Sequence, residues 1–369
     1  MTIGYDELVA NLAKENSNFG LLSMQATGTA EILANAFPSR LKALFSAEHG
    51  FFGMAAAGEK TPDAVHKRWN IPIFSLYGEK RKPDASMFEG LGRIVIDLAD
   101  IGVRCYTYLA TMKNMLEACA ENSVPATVLD RPVPLGGHVD GPMPDPSLMG
   151  FVAPLDLPLC HGMTPGECAA WIAADRKLPL DLDIVTVREW NHGVSVPWSG
   201  FVPPSPAIRS WDSAAMYPMT VFTEAYPALD CDRLGTMAFR VAGAPWLDAD
   251  RLARQISPGF ETCGYSVRPY RFAPSGGPYS GTPIDGLLVS FSGDGPKYPV
   301  TAGTLMLAAL LRNYPEEMAK DARPRWLDSL FAFPDAAKFI AEGSLSDLFT
   351  GWIDAQDAFL ETKVDFYSR

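Results

Sequence analysis

The sequence of 369 residues lacks the motifs that most often identify an enzyme class. No G-x-G-x-x-G follows the first predicted strand and no G-x-x-x-x-G-K-[ST] occurs, so the backbone cradles that hold pyrophosphate are missing. No G-x-S-x-G turn is present either, which weakens a serine-hydrolase interpretation. These absences argue against a dehydrogenase or a kinase, and the sequence predicts no cofactor.

Patterns for metal binding and for disulfide bonds are missing as well. The five histidines show no i, i+4 pairing, and the six cysteines form no C-x-x-C pair. Several cysteines fall within apolar helical or strand patterns, which favours buried free thiols. We therefore expect no dedicated metal site, although histidines that are distant in sequence can still cluster in space.

No apolar run approaches the ~20 residues that a membrane-spanning helix needs. The segment from Met1 to Asn11 contains Asp6 and Glu7 and lacks the basic start and apolar core of a signal peptide. The formal net charge is −12, whereas nucleic-acid binding depends on clustered lysine and arginine. The sequence thus predicts a cytoplasmic protein without a membrane or nucleic-acid partner, and it leaves the oligomeric state open.

What the sequence does contain is an ordinary globular composition, with 47% hydrophobic and 20% charged residues. The length exceeds the roughly 250–300 residues at which single cores stop growing, so two domains are expected. Short apolar runs alternate with helical patterns over residues 1–212, which predicts a Rossmann-like, doubly wound, mostly parallel α/β sheet. Residues 213–369 are expected to form a smaller α+β auxiliary domain, reached through a proline-rich loop from Val196 to Pro206.

The predicted elements follow from these patterns. In the first domain the strands are Phe19 to Met24, Leu41 to Ser46, Ile71 to Leu76, Arg93 to Leu98 and Ala126 to Leu129. The helices between them include Thr29 to Ala36, Thr111 to Glu121 and Thr164 to Asp175. In the second domain we predict strands Thr236 to Val241 and Leu287 to Ser292, and helices Ala302 to Asn313, Leu327 to Phe331 and Ser346 to Thr362.

The strand from Leu41 ends on Glu48, His49 and Gly50, which is the most informative stretch of the chain. In open α/β sheets, ligands bind at the carboxyl ends of the strands. A partly desolvated carboxylate at such a place is a candidate general acid, with the neighbouring histidine as a second candidate catalytic group. Taken alone, the same pattern also fits a turn whose glutamate faces water.

Other predicted strand ends deliver polar groups to the same edge of the sheet. These groups are Glu59, Tyr77, Arg104, Tyr106, Asp130, Arg131 and His161. Carboxylates, tyrosines and arginines that meet at one edge indicate a pocket for a polar, anionic ligand. Glu59 beside Lys60 and Asp130 beside Arg131 fit local ion pairs equally well. Thr164 to Glu167 reads as a capping box, which gives Glu167 a structural role.

These residues resemble the exo-β-N-acetylmuramidases, a family of glycoside hydrolases. The matching runs are Phe45 to Gly50, Ala57 to Glu59, Pro72 to Gly78, Asp100 to Tyr108 with Thr111 and Met112, Val128 to Gly137, His161 to Glu167, Pro203 to Pro206 and Gly243 to Trp246. The resemblance covers roughly the first 250 residues. It implies a Rossmann-like domain followed by an auxiliary domain, in agreement with the layer pattern.

The resemblance also implies a reaction, the release of terminal N-acetylmuramic acid from the non-reducing end of peptidoglycan fragments. It makes Glu48 the leading catalytic carboxylate and lines a cleft with the strand-end residues. A second carboxylate would come from Glu59, Asp130 or Glu224. We expect Arg104 or Arg131 to hold the lactyl carboxylate of this small carbohydrate, and Tyr77, Tyr106 and His161 to complete the substrate site.

Departures from the family pattern keep alternatives open. Phe52 stands where family members usually carry an arginine, and the Thr-Asn-x-Thr-Gly turn is replaced by Met24 to Gly28. A hydrolase of a different glycoside on the same scaffold is one alternative. A sugar-binding protein that has lost turnover is another, and a metal-dependent hydrolase is a third.

Overall fold

The computed structural model describes residues 1–193, 197–292 and 297–368. The strands in these ranges are β1 (Phe19–Ser23), β2 (Leu41–Ser46), β3 (Ala64–His66), β4 (Ile71–Ser75), β5 (Arg93–Asp97), β6 (Ala126–Leu129), β7 (Val139–Asp140), β8 (Cys160–His161), β9 (Leu182–Val185), β10 (Val241–Ala244), β11 (Tyr265–Phe272) and β12 (Ile284–Phe291). The α-helices are α1 (Tyr5–Ala13), α2 (Thr29–Ala36), α3 (Tyr108–Glu121), α4 (Pro165–Asp175), α5 (Trp211–Thr220), α6 (Ala249–Thr262), α7 (Pro299–Asn313), α8 (Pro315–Met318), α9 (Pro324–Phe331), α10 (Ala336–Glu342) and α11 (Leu345–Thr362).

Seven of the strands form one sheet in the order β3-β4-β2-β1-β5-β6-β9. Every neighbouring pair is parallel except β3 and β4, so the predicted doubly wound, mostly parallel α/β sheet is confirmed. The central strands are mostly apolar because helices cover both faces of the sheet. Gly20 in β1 is needed for packing, since a Cβ there would lie 2.9 Å from side-chain atoms of both Phe45 and Ile94.

The five predicted strands of the first domain correspond to β1, β2, β4, β5 and β6. The short strands β3 and β9 lie at the two edges of the sheet and were not predicted. The predicted capping box at the start of α4 is confirmed, with Thr164 accepting from the Glu167 backbone and Glu167 accepting from the Thr164 backbone. All six cysteines are buried and free, as their apolar surroundings in the sequence indicated.

A second, antiparallel sheet in the order β10-β12-β11 lies in the carboxyl-terminal part of the chain, as expected for a smaller α+β unit. The predicted strand Thr236 to Val241 is wrong, because the strand begins only at Val241. The Asp232 carboxylate accepts from Met237 N–H at 3.1 Å and from Ser275 N–H at 3.1 Å, which holds this segment in turns. Helix α6 was not predicted, and it contains Pro258 and Gly259, both poor helix formers.

The predicted proline-rich loop and the predicted division between the two domains compare differently with the structure. Val196, the first residue of the proline-rich segment, lies outside the described residues, whereas 197–210 form neither helix nor strand. The continuous helix α5 runs across the expected division between residues 212 and 213, whose position stays a prediction. Within the described ranges, no helix combines the length and the apolar character needed to cross a membrane.

The last residues of the chain return to the first sheet. The Tyr367 hydroxyl donates to Asp130 Oδ2 at 2.6 Å and accepts from Val187 N–H at 2.9 Å. Phe366 N–H donates to Glu167 Oε1 at 2.7 Å. The carboxyl terminus therefore completes hydrogen bonds at the edge formed by β6, β9 and α4.

Candidate active site

Glu48 lies two residues beyond the end of β2 and is only 8% exposed. Its Oε1 accepts from Gly58 N–H at 2.6 Å, and its Oε2 accepts from the Thr107 hydroxyl at 2.5 Å. The backbone of His49 adopts φ +73°, a left-handed conformation that a residue with a side chain seldom takes, and Gly50 follows at +72°. This tight turn aims the carboxylate at the strand edge, where loops on both sides orient it.

His49 supports the loop that follows this turn. Its Nδ1 lies 2.9 Å from the Ala55 carbonyl oxygen. Because a carbonyl oxygen can only accept, Nδ1 is the ring nitrogen that carries the hydrogen in this bond. Glu59, farther along the loop, is exposed, and its Oε2 accepts from Ala56 N–H at 2.8 Å. His49 thus shapes the loop that carries Gly58 to Glu48, while Glu59 closes a surface turn.

Tyr77 follows β4, the neighbour of β2, and shares the environment of Glu48. Burial raises the pKa of the Tyr77 hydroxyl, and the negative charge of Glu48 raises it further. The Arg81 guanidinium lies 3.7 Å from the centre of the Tyr77 ring and 4.3 Å from that of Phe151. An arginine and a tyrosine are therefore stacked beside the candidate acid.

Glu224 approaches this place from the second part of the chain. It ends the short 3₁₀ helix Val221–Glu224 and is half-buried. Arg233 Nη1 lies 3.4 Å from its Oε1, and Trp326 Nε1 donates to its Oε2 at 3.4 Å. Burial raises the pKa of Glu224, Arg233 opposes that effect, and the charge of Glu48 adds to it. The carboxyl groups of Glu48 and Glu224 are thus close enough to interact electrostatically.

Tyrosine rings line the interior between these two acids. Tyr106 contacts Tyr108 at 4.8 Å and Tyr217 at 5.9 Å between ring centres, in edge-on geometry. Burial raises the pKa of Tyr106 well above its usual value, with smaller contributions from Tyr108 and from Glu48. The Tyr108 hydroxyl donates to the Pro204 carbonyl at 2.5 Å. Tyr106 therefore belongs to a packed aromatic layer that adjoins Glu48.

Asp130 and Arg131 lie elsewhere on the sheet edge. They follow β6, which is three strands away from β2, or about 14 Å at the usual spacing of about 4.8 Å. Asp130 accepts from four groups, the backbone N–H of Arg131 and Gly166 and the hydroxyls of Thr164 and Tyr367. Burial nevertheless raises its pKa to about 6. With its oxygens fully occupied, Asp130 anchors α4 and the carboxyl terminus.

Arg131 is committed to a buried network. It forms an ion pair with Asp97 through two nitrogens, and its Nη2 also donates to the Tyr5 hydroxyl at 2.7 Å. The Thr29 hydroxyl donates to Asp97 as well. Although burial opposes the charged form, the Asp97 carboxylate raises the pKa of Arg131. The expectation that Arg131 holds a substrate carboxylate is corrected on this ground, because Asp97 already supplies that partner.

Arg104 is corrected for a different reason. Its guanidinium is fully buried, and the two terminal nitrogens donate to the carbonyls of Pro142 at 2.9 Å, Leu157 at 2.6 Å and Phe331 at 2.6 Å. Burial lowers its pKa to about 10. These bonds fasten the loop after β5 to the end of α9, so Arg104 ties two parts of the fold together.

His161 lies in β8 and is 1% exposed. Its Nδ1 accepts from Met163 N–H at 3.3 Å, and burial lowers its pKa to about 3, with Lys363 and Arg104 contributing. A neutral imidazole in the interior packs and orients the turn before α4. We therefore correct the expected contact between His161 and substrate.

One group of side chains in the described part of the chain has a spacing that could suit a metal ion. Ligand atoms of Glu167, His192 and Asp365 lie within 4.8 Å of one another. Glu167 Oε1, however, already accepts from His192 Nε2 at 2.8 Å and from Phe366 N–H. Protein groups thus occupy this cluster, and the expected absence of a metal from the reaction stays a prediction.

The family model described as Exo-beta-N-acetylmuramidase NamZ, N-terminal, matches residues 13–212, and the corresponding C-terminal model matches residues 215–367. The chain belongs to this exo-β-N-acetylmuramidase family. Both the resemblance found in the sequence and the prediction of a glycoside hydrolase are confirmed at the level of the family.

Named or structurally known relatives match most of this chain. The chain is 30% identical over 325 residues to the Peptidoglycan beta-N-acetylmuramidase NamZ of Bacillus subtilis. The aligned region covers 85% of this chain and 78% of that protein. Crystal structures of two DUF1343 family proteins from Bacteroides fragilis share 25% identity with it, at TM-scores of 0.86 and 0.76. Each likeness covers 98% of this chain, and 97% and 96% of the respective structures. The expected two-part α/β fold is confirmed by this likeness.

Several residues at the site were not predicted from the sequence. Thr107 stands between two tyrosines, and nothing in its position alone shows that it donates to Glu48. Trp326 lies beyond the roughly 250 residues that the resemblance covers, and Arg233 lies within them but in none of the matching runs. Arg81 follows Tyr77 and Gly78 within a run of three basic residues, and that run in the loop after β4 was the available signal.

Proposed function

We propose that this enzyme removes N-acetylmuramic acid from the non-reducing end of peptidoglycan fragments, with Glu48 as general acid and base. Membership of the family and the name of the Bacillus subtilis relative support the reaction class. The observation that carries the assignment of residues is the placement of Glu48, which lies beyond β2, is 8% exposed and is oriented by hydrogen bonds from Gly58 N–H and the Thr107 hydroxyl; its charge also raises the pKa of the half-buried Glu224. Two interacting carboxyl groups at a strand edge are what glycoside hydrolysis uses.

The chemistry assigns a task to each carboxyl group. One must protonate the departing glycosidic oxygen, while the other either attacks the sugar or activates a water molecule. The hydrogen bonds from Gly58 and Thr107 fix the orientation of Glu48. Burial raises the pKa of Glu224, and the charge of Glu48 adds to that effect. In this proposal Glu48 carries the proton transfers, and Glu224 is the second carboxyl group.

The other two candidates for the second carboxylate fit less well. Glu59 is exposed and caps a turn, and Asp130 has all its oxygens engaged about three strands from Glu48. Glu224 is therefore the second carboxylate in this proposal. Its Arg233 and Trp326 neighbours set its position, so that both parts of the chain contribute to the reaction.

The experiment is release of para-nitrophenol from its β-N-acetylmuraminide, run beside the matching N-acetylglucosaminide. Glu48→Gln keeps the size of the side chain but cannot donate the proton, so we expect kcat to fall at least ~10²-fold. Glu59→Gln, an exposed carboxyl on the same loop, is the matched control and should keep activity within about twofold, since it is a surface change. A loss of less than tenfold in Glu48→Gln would remove Glu48 from the role.

The same assay separates the alternatives. Turnover of another sugar but not of the muraminide would favour a hydrolase of a different glycoside. No turnover, together with an increase in thermal stability on adding N-acetylmuramic acid, would favour a protein that binds sugar without cleaving it. Activity that survives a chelator would dismiss a metal-dependent hydrolase.

A further inference from the structure

An anionic sugar needs a positive charge in a site that already holds two carboxyl groups. The protein carries a net charge of −12, and Glu48 and Glu224 add local repulsion. An arginine can bind a carboxylate through two parallel hydrogen bonds, which gives both attraction and orientation. Such an arginine must lie near Glu48 and have N–H donors that no protein group already uses.

Three other arginines at or near the sheet edge are already engaged. Arg131 pairs with Asp97, and Arg104 is enclosed by backbone carbonyls. Arg233 lies against the Glu224 carboxylate at 3.4 Å, which neutralises its charge. None of them is available as the main partner of a substrate anion.

Arg81 is different from these three. Among residues 1–193, 197–292 and 297–368 it forms no ion pair with an acid, although its neighbours do: Lys80 pairs with Asp84, and Lys82 pairs with Glu117 at 3.6 Å and Glu121 at 2.6 Å. Its Nη1 atom is buried and has no hydrogen-bond partner; Nε of Arg104 shares this property, but both terminal nitrogens of Arg104 donate to carbonyls. An unpaired charged donor in such a place is unfavourable unless a ligand supplies the acceptor.

Aromatic rings hold the Arg81 guanidinium ready. It lies over both Tyr77 and Phe151, at 3.7 Å and 4.3 Å from the ring centres, while the two rings are 5.9 Å apart. Stacking of this kind orients a planar guanidinium, and the Arg81 guanidinium also opposes the rise in the pKa of the Tyr77 hydroxyl. Tyr77 in turn is close enough to Glu48 for that charge to act on its hydroxyl. Arg81, Tyr77 and Glu48 are therefore neighbours in that order, with Tyr77 between the cation and the acid.

From this arrangement we infer that Arg81 is the specificity-determining residue that binds the carboxylate of the substrate, which for N-acetylmuramic acid is the lactyl group. The inference rests on the proposed function for the identity of the sugar. It assigns to Arg81 the part that the sequence analysis gave to Arg104 or Arg131. Arg81 takes no part in bond cleavage; it positions an anionic sugar relative to Glu48.

The test compares two sugars that differ in the lactyl carboxylate. Arg81→Met keeps an unbranched apolar stem between the rings and removes the charge. We expect kcat/KM for the muraminide to fall about 30- to 100-fold, mainly through KM, and that for the N-acetylglucosaminide to change less than about threefold, because charged hydrogen bonds are lost only with the first. Arg81→Lys should recover part of the loss. Lys82→Met, which removes the adjacent paired cation, should leave the preference unchanged.

Equal losses on both sugars, or an unchanged muraminide value, would overturn the inference. Calorimetric binding of free N-acetylmuramic acid and N-acetylglucosamine makes its failure distinguishable from failure of the proposed function. If the wild type cleaves neither sugar but binds N-acetylmuramic acid, and Arg81→Met alone abolishes that binding, the inference stands without the enzyme activity. If the wild type does not bind N-acetylmuramic acid, the inference is refuted. Unchanged unfolding midpoints exclude misfolding as the cause.

Discussion

The two halves of the strand edge use similar residues for opposite purposes. Beyond β5 and β6, Asp97, Asp130 and Arg131 satisfy one another and their neighbours, so little hydrogen-bonding capacity remains. Beyond β2 and β4, Glu48 keeps capacity for a ligand, and Arg81 has a donor without an acceptor. The type of residue at a strand end thus says little about whether it binds a ligand. What distinguishes the two halves is whether other protein groups already satisfy its hydrogen bonds.

The largest expected effect that tests this comparison is a loss of stability on substitution of Arg131. Arg131→Met leaves Asp97 buried without its counter-charge, and we expect the free energy of unfolding to fall by about 3–5 kcal/mol. Urea unfolding measures it. Arg188→Met is the control, because its ion pairs with Asp6 and Glu7 are exposed and should leave the unfolding midpoint unchanged. A stable Arg131→Met protein with reduced muraminide affinity would return Arg131 to the substrate site.

The next effect concerns the open half of the edge. Glu224→Gln should lower kcat/KM about 10²-fold while changing the unfolding midpoint little, because Gln retains an acceptor for Trp326. In a plot of kcat/KM against pH, the change that the titration of Glu224 causes in the wild type should be absent from the variant. Glu316→Gln, an exposed acid, should behave as the wild type does. A Glu224→Gln enzyme with full activity and an unaltered profile would leave the second carboxylate unassigned.

The smallest effect is a pH dependence that sharpens the comparison. The pKa of Asp130 is about 6 in the folded protein against an ordinary 3.8, so the folded state holds a proton that the unfolded chain has lost between these values. Stability from this group is therefore present at low pH and is lost as pH rises from about 4 to about 6, by about 2 kcal/mol.

Asp130→Asn isolates that contribution, since its amide can face the hydroxyls of Thr164 and Tyr367 and its oxygen the two backbone donors. Urea unfolding of both proteins at pH 4.5 and 7 gives the difference. The wild type should lose stability relative to Asp130→Asn as the pH rises. A difference that is constant with pH would show that Asp130 titrates normally.

The parts of the fold that were predictable depend on neighbours in sequence. The capping box at Thr164 needs only the next three residues, and Glu48 reaches the strand edge because β2 ends just before it. Parallel strands buried on both faces are mostly apolar, which is why the sequence predicts the five inner strands of the first domain.

The roles that were mistaken depend on partners far along the chain. Arg104 contacts Phe331, 227 residues away, and Arg131 contacts Tyr5, 126 residues away. No local pattern distinguishes an arginine that such contacts consume from one that is free, and Arg81 was overlooked for the same reason. Glu224 could be named as a candidate, but its approach to Glu48 depends on how the second part of the chain packs.

The hydrogen bonds made by the last residues have a consequence for synthesis of the chain on the ribosome. Asp130 and Glu167 obtain partners from Tyr367 and Phe366, so these buried acids remain incompletely bonded in any nascent chain from which those two residues have not yet emerged. Domains usually begin folding in order of emergence. Here the first sheet can collapse early but reaches its final hydrogen bonding only after Phe366 and Tyr367 have emerged from the ribosome, which makes this a late step in its maturation.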